Sequence, residues 1–279
     1  MSNFMMPPTG FGPGSQPLES EDENLTYMPL PQDMRTYAPH LPDAEVTPDA
    51  FGPALRLLKD VSAACSIAAT EGREARFNLS GLDQRNRDLI AETLGEGEVA
   101  AKVWGVPALA IQESVFAGVW RVTGAGVDRI DVAPVPGCVT GDPFAPRRAG
   151  QGSGTPVTDG VQNAPPLLVE LQDKSAAFTG AADLHVINLT LLPHTEPDLL
   201  WLDAALGEGS VTVLSRGYGN CRISATALPH VWRVQFFNSM DTLILDTFEV
   251  TRAPEVMVAA PEDLSDSGIR ILSVLEAIS

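Results

Sequence analysis

Three cysteines (Cys65, Cys138, Cys221) and four histidines (His40, His185, His194, His230) are the side chains of this sequence with the widest chemical range. Thiols and imidazoles ligate metals, attack carbonyls and move protons, but each use needs partners at set spacings. No histidine lies two to five residues from a cysteine or from another histidine, and neither HExxH nor CxxC occurs. The pattern points to no metal site. Cys221, nine residues before His230 across an expected hairpin, reads as an ordinary half-buried thiol, with a redox or metal role as the sharper alternative. The Gly-rich run GQGSGT (150–155) is followed by neither GKS nor GKT, and Gly124-Ala-Gly126 and Gly217-Tyr-Gly219 lack the rest of a dinucleotide fingerprint. There is no GxSxG elbow to hold a nucleophilic serine. The acid pair Glu262-Asp263 suits the first turn of a helix, where it complements the dipole. The expectation is a chain with no catalytic set and no cofactor.

One stretch offers recognition rather than catalysis. In SRGYGNCRI (215–223), Arg216, Tyr218, Asn220 and Arg222 stand beside Gly217 and Gly219. A hairpin turn accounts for the glycines through positive φ. It does not account for the polar and aromatic residues displayed with them, which suit a partner contact.

That turn belongs to a repeated frame. Leu94-Gly95-Glu96-Gly97 precedes Val119-Trp120-Arg121-Val122, and Leu206-Gly207-Glu208-Gly209 precedes Val231-Trp232-Arg233-Val234 at the same spacing. Without a gap, 94–122 matches 206–234 at eleven of twenty-nine positions, which predicts an internal duplication. In the first copy VWGVPALAI (103–111) fills the slot of SRGYGNCRI, with Trp104, Val106, Ala108 and Ala110 at the four polar or aromatic positions. The repeated phrase itself has a structural explanation. Gly95 and Gly207 cap helices, Gly97 and Gly209 turn the chain into the next strand, and Trp120 and Trp232 face the core. Arg121 and Arg233 would then face out, or pair with Glu96 and Glu208.

The elements around the frame follow from local signals. Phe51, Leu55, Leu58 and Val61 recur at helical spacing, giving a helix from Asp49 to about Ala69. ARFNLSGL (75–82) reads as a strand, and 83–94 as a short helix with Asp83 as N-cap. The second pass has a helix from Leu167, a strand HVINLTLL (185–192), and a helix opened by a Thr195/Asp198 capping box. Four strands and an amphipathic helix at about 262–278 complete it. The fold class is α+β: a helix–strand–helix–multistrand antiparallel unit used twice, as two pseudo-symmetric lobes, with a C-terminal helix and a disordered N-terminal tail. The expected boundaries are an acidic Pro/Met-rich tail at 1–47, a first repeat at 48–137, a Gly/Pro-rich linker at 138–162 and a second repeat at 163–279.

The chain has 279 residues, a formal net charge of -18 and a pI of about 4.4. Such a surface repels nucleic acid and anionic lipid and favours basic partners. The first residues, MSNFMMPPTGFGPGSQ, carry no basic residue and no long apolar run, and no stretch of the chain reads as a membrane span. Three scattered cysteines fit a reducing compartment. Together these lead to the expectation of a cytoplasmic protein without membrane insertion. Residues 1–47 hold eight prolines and a net charge of -6, yet also five of the seven methionines, with Phe4, Phe11 and Tyr27. That composition suits a solvated arm or a docking segment that folds on contact.

The order GFGPGSQP, MPLP, LGEGEV, VWRV, INLTLLP, LSRGYGNCRI, LPHVWRVQFFNS and PEVMVAAPEDLSDS resembles the HupH/HyaF family of hydrogenase expression/formation proteins, over residues 10 to 277. The most specific parts are Gly12-Pro13-Gly14, Gly217-Tyr218-Gly219 and Ala259-Ala260-Pro261-Glu262-Asp263-Leu264. The resemblance implies a non-catalytic chaperone in the maturation of a nickel–iron uptake hydrogenase. It implies binding of the iron–sulfur small-subunit precursor before twin-arginine export, together with a thioredoxin-like companion, and it assigns no catalytic residue. The expected partner-binding residues are Arg216, Gly217, Tyr218, Gly219, Asn220 and Arg222 in the turn, and Phe11, Gly12, Pro13 and Gly14 in the tail. A metal- or redox-handling factor centred on Cys221 is the alternative, and a subunit that stays in the finished complex is a third reading.

Overall fold

The structure, a computed structural model, describes residues 48–180, 184–217 and 219–278. Its first half runs α1 (Pro48–Glu71), β1 (Ala75–Asn78), α2 (Gln84–Leu94), β2 (Val99–Val103), β3 (Leu109–Glu113), β4 (Val119–Gly124) and β5 (Val127–Val132). The short helix α3 (Gly137–Thr140) follows. The second half runs α4 (Ala164–Ala177), β6 (His185–Asn188), α5 (Glu196–Leu206), β7 (Val211–Ser215), β8 (Asn220–Ala225), β9 (Val231–Phe237) and β10 (Leu243–Val250), and α6 (Pro261–Ile278) closes the chain. The fold is α+β with a ten-stranded antiparallel sheet. The halves use their elements in the same order, helix–strand–helix–four strands.

The halves are not separate lobes. The strand order is β1-β5-β4-β3-β2-β7-β8-β9-β10-β6, and β2 pairs directly with β7, Val99 opposite Ser215 and Lys102 opposite Thr212. Two half-sheets, each with an unpaired edge, satisfy those backbone groups by joining. Residues 138–162, expected as a linker, lie along the second half. Ser210 N donates to Pro143 O at 2.7 Å, Ser210 Oγ to Asp142 O at 2.8 Å, and Arg148 bridges to Glu208. Arg148 also pairs with Asp203 at 2.7 Å.

Two local caps predicted above are formed. Asp83 accepts from Asn86 N at 2.9 Å, and Thr195 and Asp198 make a reciprocal capping box. Gly95 and Gly207 take φ of +55° and +69°, but their ψ of -163° and -170° sends the chain straight out instead of curling it into a left-handed cap. Gly97 and Gly209 answer to close approach. A Cβ at Gly209 would lie 2.4 Å from Pro143 O, and one at Gly97 would lie 2.2 Å from Ser114 O.

Alternation along the strands sends Trp120, Val122, Ile111, Ala101, Val213, Ile223, Trp232 and Val234 to one face, where Val139, Phe144 and Met257 cover them. Both indoles are buried, and both N–H groups reach a backbone carbonyl just past the half-sheet: Ala133 O at 2.9 Å and Thr251 O at 3.2 Å. On the opposite face, α1, α2 and α6 pack over Val119, Ile130 and Val132, while α4 and α5 pack over Ile187, Val231, Phe248 and Val250. The C-terminal helix therefore leaves the second half, where it was expected, and lies on the first. Ser62 Oγ donates to Gly268 O at 2.7 Å, a close approach that Gly268 permits. Helix α1 buries Leu58, Val61, Cys65 and Ala68, more than the sheet alone can cover.

Candidate functional site

The helices cover the two ends of this second face and leave its middle open. One row of side chains crosses that middle from strand to strand: Arg121 on β4, Gln112 on β3, Ala100 on β2, Leu214 on β7, Arg222 on β8 and Gln235 on β9. The next row is Thr123, Ala110, Lys102, Thr212, Ser224 and Arg233. Small residues dominate the centre, so a groove of about 710 Å3 lies between the end of α2 and strands β2, β3, β4 and β7. A smaller depression of about 260 Å3 lies at the end of α5, and one of about 450 Å3 at the β7–β8 turn. Leu214 lines the first and third, and Arg222 the second and third, so the three are neighbours on one face.

The repeated phrase lines two of these hollows, one with each occurrence. Gly95 and Glu96 border the larger hollow with Arg121; Gly207 and Glu208 border the smaller with Arg233. The arginines do not pair with the glutamates of the phrase. Arg121 reaches Asp128 at 3.8 Å and Arg233 reaches Asp246 at 2.9 Å, because cross-strand neighbours on one face lie closer than residues beyond a helix end. Glu208 instead meets Arg147 at 3.1 Å and Arg148 at 3.2 Å.

Of the expected contact residues, Arg216, Gly217, Gly219, Asn220 and Arg222 are brought together at the exposed end of the β7–β8 hairpin. Asn220 donates to Asp241 at 3.3 Å, and the Arg222 guanidinium lies over the Phe237 ring at 5.9 Å. Gly219 takes φ of +97°, whereas a Cβ at Gly217 would meet only the movable end of the Glu98 side chain. Tyr218 lies outside the described residues, as do Phe11, Gly12, Pro13 and Gly14. Cys221 does not stand beside Arg222 on this face. Its thiol enters the opposite, covered face, where burial and then the Glu249 carboxylate push its pKa up to about 11. His230 packs between Phe144 and Phe178, with ring centroids 5.6 and 4.4 Å away.

Residue-by-residue reading did not bring Trp104 and Lys102 into the site. Trp104, at the β2–β3 turn, is 41% exposed with Lys102 5.0 Å and Arg147 4.6 Å from its ring. The signal was present, since Trp104 holds the position in the first half that answers Arg216 of the turn singled out in the second. A buried acid was also missed. Glu113 stands where the second half has Ala225, and accepts from Gly118 N at 3.1 Å. Burial, with Glu98 and Asp263 adding to it, raises its pKa to about 7. Because the folded value lies above the unfolded one, the protonated acid favours the fold and this contribution fades as pH rises from about 4 to 7. Glu113→Gln is expected to stabilise the protein by about 1–3 kcal/mol at pH 8 and to be near neutral at pH 5, read from urea unfolding. A variant equally destabilised at both pH values would contradict this.

The geometry has close relatives in sequence. The chain is 62% identical over 278 residues, covering 100% of itself and 99% of the other, to the hydrogenase expression/formation protein HupH of Rhodobacter capsulatus. It is 32% identical to the hydrogenase-1 operon protein HyaF of Escherichia coli, covering 95% and 94% of the two chains. The chain belongs to the HupH/HyaF family of hydrogenase expression/formation proteins. The family's model for the C-terminal conserved region of HupH hydrogenase expression proteins matches residues 161–278, from α4 through the smaller depression to α6. HoxQ of Cupriavidus necator, another hydrogenase expression/formation protein, is 45% identical, covering 99% of this chain and 98% of its own. In this HupH/HyaF chain the larger groove is lined mostly from the first half, and Thr212 and Leu214 of β7 bring the region matched by that model to its edge.

Proposed function

We propose that this protein is a non-catalytic accessory chaperone in the cytoplasm that holds the iron–sulfur small-subunit precursor of a nickel–iron uptake hydrogenase before its twin-arginine export. A thioredoxin-like companion works beside it. The observation that carries this reading is the broad open sheet face, with its groove and exposed β7–β8 turn, in a chain whose relatives bear the name of hydrogenase expression/formation proteins. Such a face suits a polypeptide surface better than a small substrate. The repeated phrase and the repeated order of elements support the halves as copies of one unit, and the divergence of the two hairpin turns supports unequal contacts. The net charge of -18 favours encounter with a basic leader.

Purified full-length protein is expected to retain the small-subunit precursor in a pull-down and to lose it when Arg216 and Arg222 are changed to Glu. Comparison with the leaderless precursor separates leader capture from recognition of the body. Failure to bind either form would remove the reading. The alternative centred on Cys221 has against it a buried thiol that resists ionisation. Normal maturation in a Cys221→Ala strain would set it aside.

A further inference from the structure

We propose that the open sheet face is a docking track for an extended, acidic segment of a partner protein. The track alternates exposed apolar groups with cations. Trp104 is 41% and Leu214 44% exposed, and Phe237 lies beneath the Arg222 guanidinium. Lys102, on β2, and Arg222, on β8, both project from this face and have no ion pair among the described residues. In a chain with 36 acids against 18 bases, the larger groove is lined by three cations, Lys102, Arg121 and Arg147, against one acid, Glu96. Cations beside exposed aromatic rings are the residue types that anchor protein contacts, and an acid-bearing extended chain can meet both at once.

The same charges argue against other occupants. A basic leader, which the net charge of -18 favours elsewhere on the surface, would meet Lys102 and Arg222 on this track with like charge. A polyphosphate would meet the same cations but has no apolar group for the exposed Trp104 and Leu214 side chains. The inference concerns the groove's chemistry, whichever protein supplies the segment, so it does not depend on the hydrogenase reading.

The test uses the full-length protein and two labelled peptides, one alternating Glu and Phe, the other Lys and Phe, read by fluorescence anisotropy. The Glu–Phe peptide is expected to bind, more weakly as salt rises, and the Lys–Phe peptide to fail. Lys102→Glu with Arg222→Glu should weaken binding about tenfold or more. Lys59→Glu on the exposed side of α1 should leave it unchanged. Should the double variant misfold, Leu214→Asp on the same track must give the same loss. Equal binding of both peptides, undiminished binding to the double variant, or displacement of the peptide by inorganic phosphate alone would overturn the proposal. So would a self-association that the double variant abolishes, since the track would then seat a second copy. A precursor that fails to bind while the Glu–Phe peptide succeeds would count against the chaperone reading and leave this one standing.

Discussion

Asp198→Ala is expected to cost the fold about 3–5 kcal/mol at pH 7, since hydrogen bonds to a charged acceptor are worth about twice a neutral one. One carboxylate oxygen of Asp198 accepts from the backbone N–H groups of Gln162, Asn163 and Ala164 at 2.7, 2.9 and 3.0 Å, where α4 begins. The other accepts from Thr195 N at 3.0 Å, where α5 begins. A single buried side chain thus satisfies the first donors of two helices that pack on each other. Burial by itself would raise its pKa, but the four N–H groups outweigh burial and hold it below the usual carboxylate range. With the folded pKa lowered, the stabilisation is complete above the unfolded value of about 4 and disappears as pH falls through the folded one. Urea unfolding of wild type and variant should therefore differ most at neutral pH and converge in acid. Asp198→Asn should fall between, because its amide nitrogen would face Thr195 N, donor against donor. A gap that stays constant with pH would refute the charge-based account.

Trp232→Ala is expected to cost a similar amount, about 3–5 kcal/mol, from the cavity and lost burial together. The ring is fully buried, meets Phe144 edge-on at 5.2 Å between centroids and donates to Thr251 O. Trp232→Phe should recover most of the packing and leave the Thr251 carbonyl unpaired, at a cost of about 1–3 kcal/mol. These shifts should appear in the unfolding midpoint in proportion to stability. If Trp232→Ala kept its stability and lost precursor binding, the repeated Trp–Arg phrase would be a contact site and not a frame.

The relation between phrase and site is more intimate than the sequence implied. Trp120 and Trp232 lie under the covered face, as their alternation with arginine predicts. Gly95-Glu96 and Gly207-Glu208 form the rims of the open face, because each follows a helix that ends beside the groove. The frame and the candidate site share a backbone. What differs between the two halves is the hairpin each carries: Trp104 beside Lys102 in one, Arg216 with Asn220 and Arg222 in the other.

Short-range physics made part of this legible from residues alone. Asp83 and the Thr195–Asp198 box announce helix starts because a cap bonds to an amide two or three residues away. The VWRV alternation announces a strand with a buried tryptophan because the side-chain period of a strand is two. The turn at 215–222 stood out because its composition departs from the matching stretch 103–110 of the first half. The joining of the halves was not legible, because β2 meets β7 across a long separation, Val103 pairing with Val211 108 residues on, and no local signal selects that pairing over an edge left for another chain. Nor was the crossing of α6 onto α1, where a glycine meets a serine carbonyl 206 residues away. The sequence by itself determined the elements, their caps and which residues each strand turns inward. Only the tertiary structure decided that Lys102, Leu214 and Arg222 share one open face, because strand pairing is a long-range choice made by burying edges and apolar stripes together.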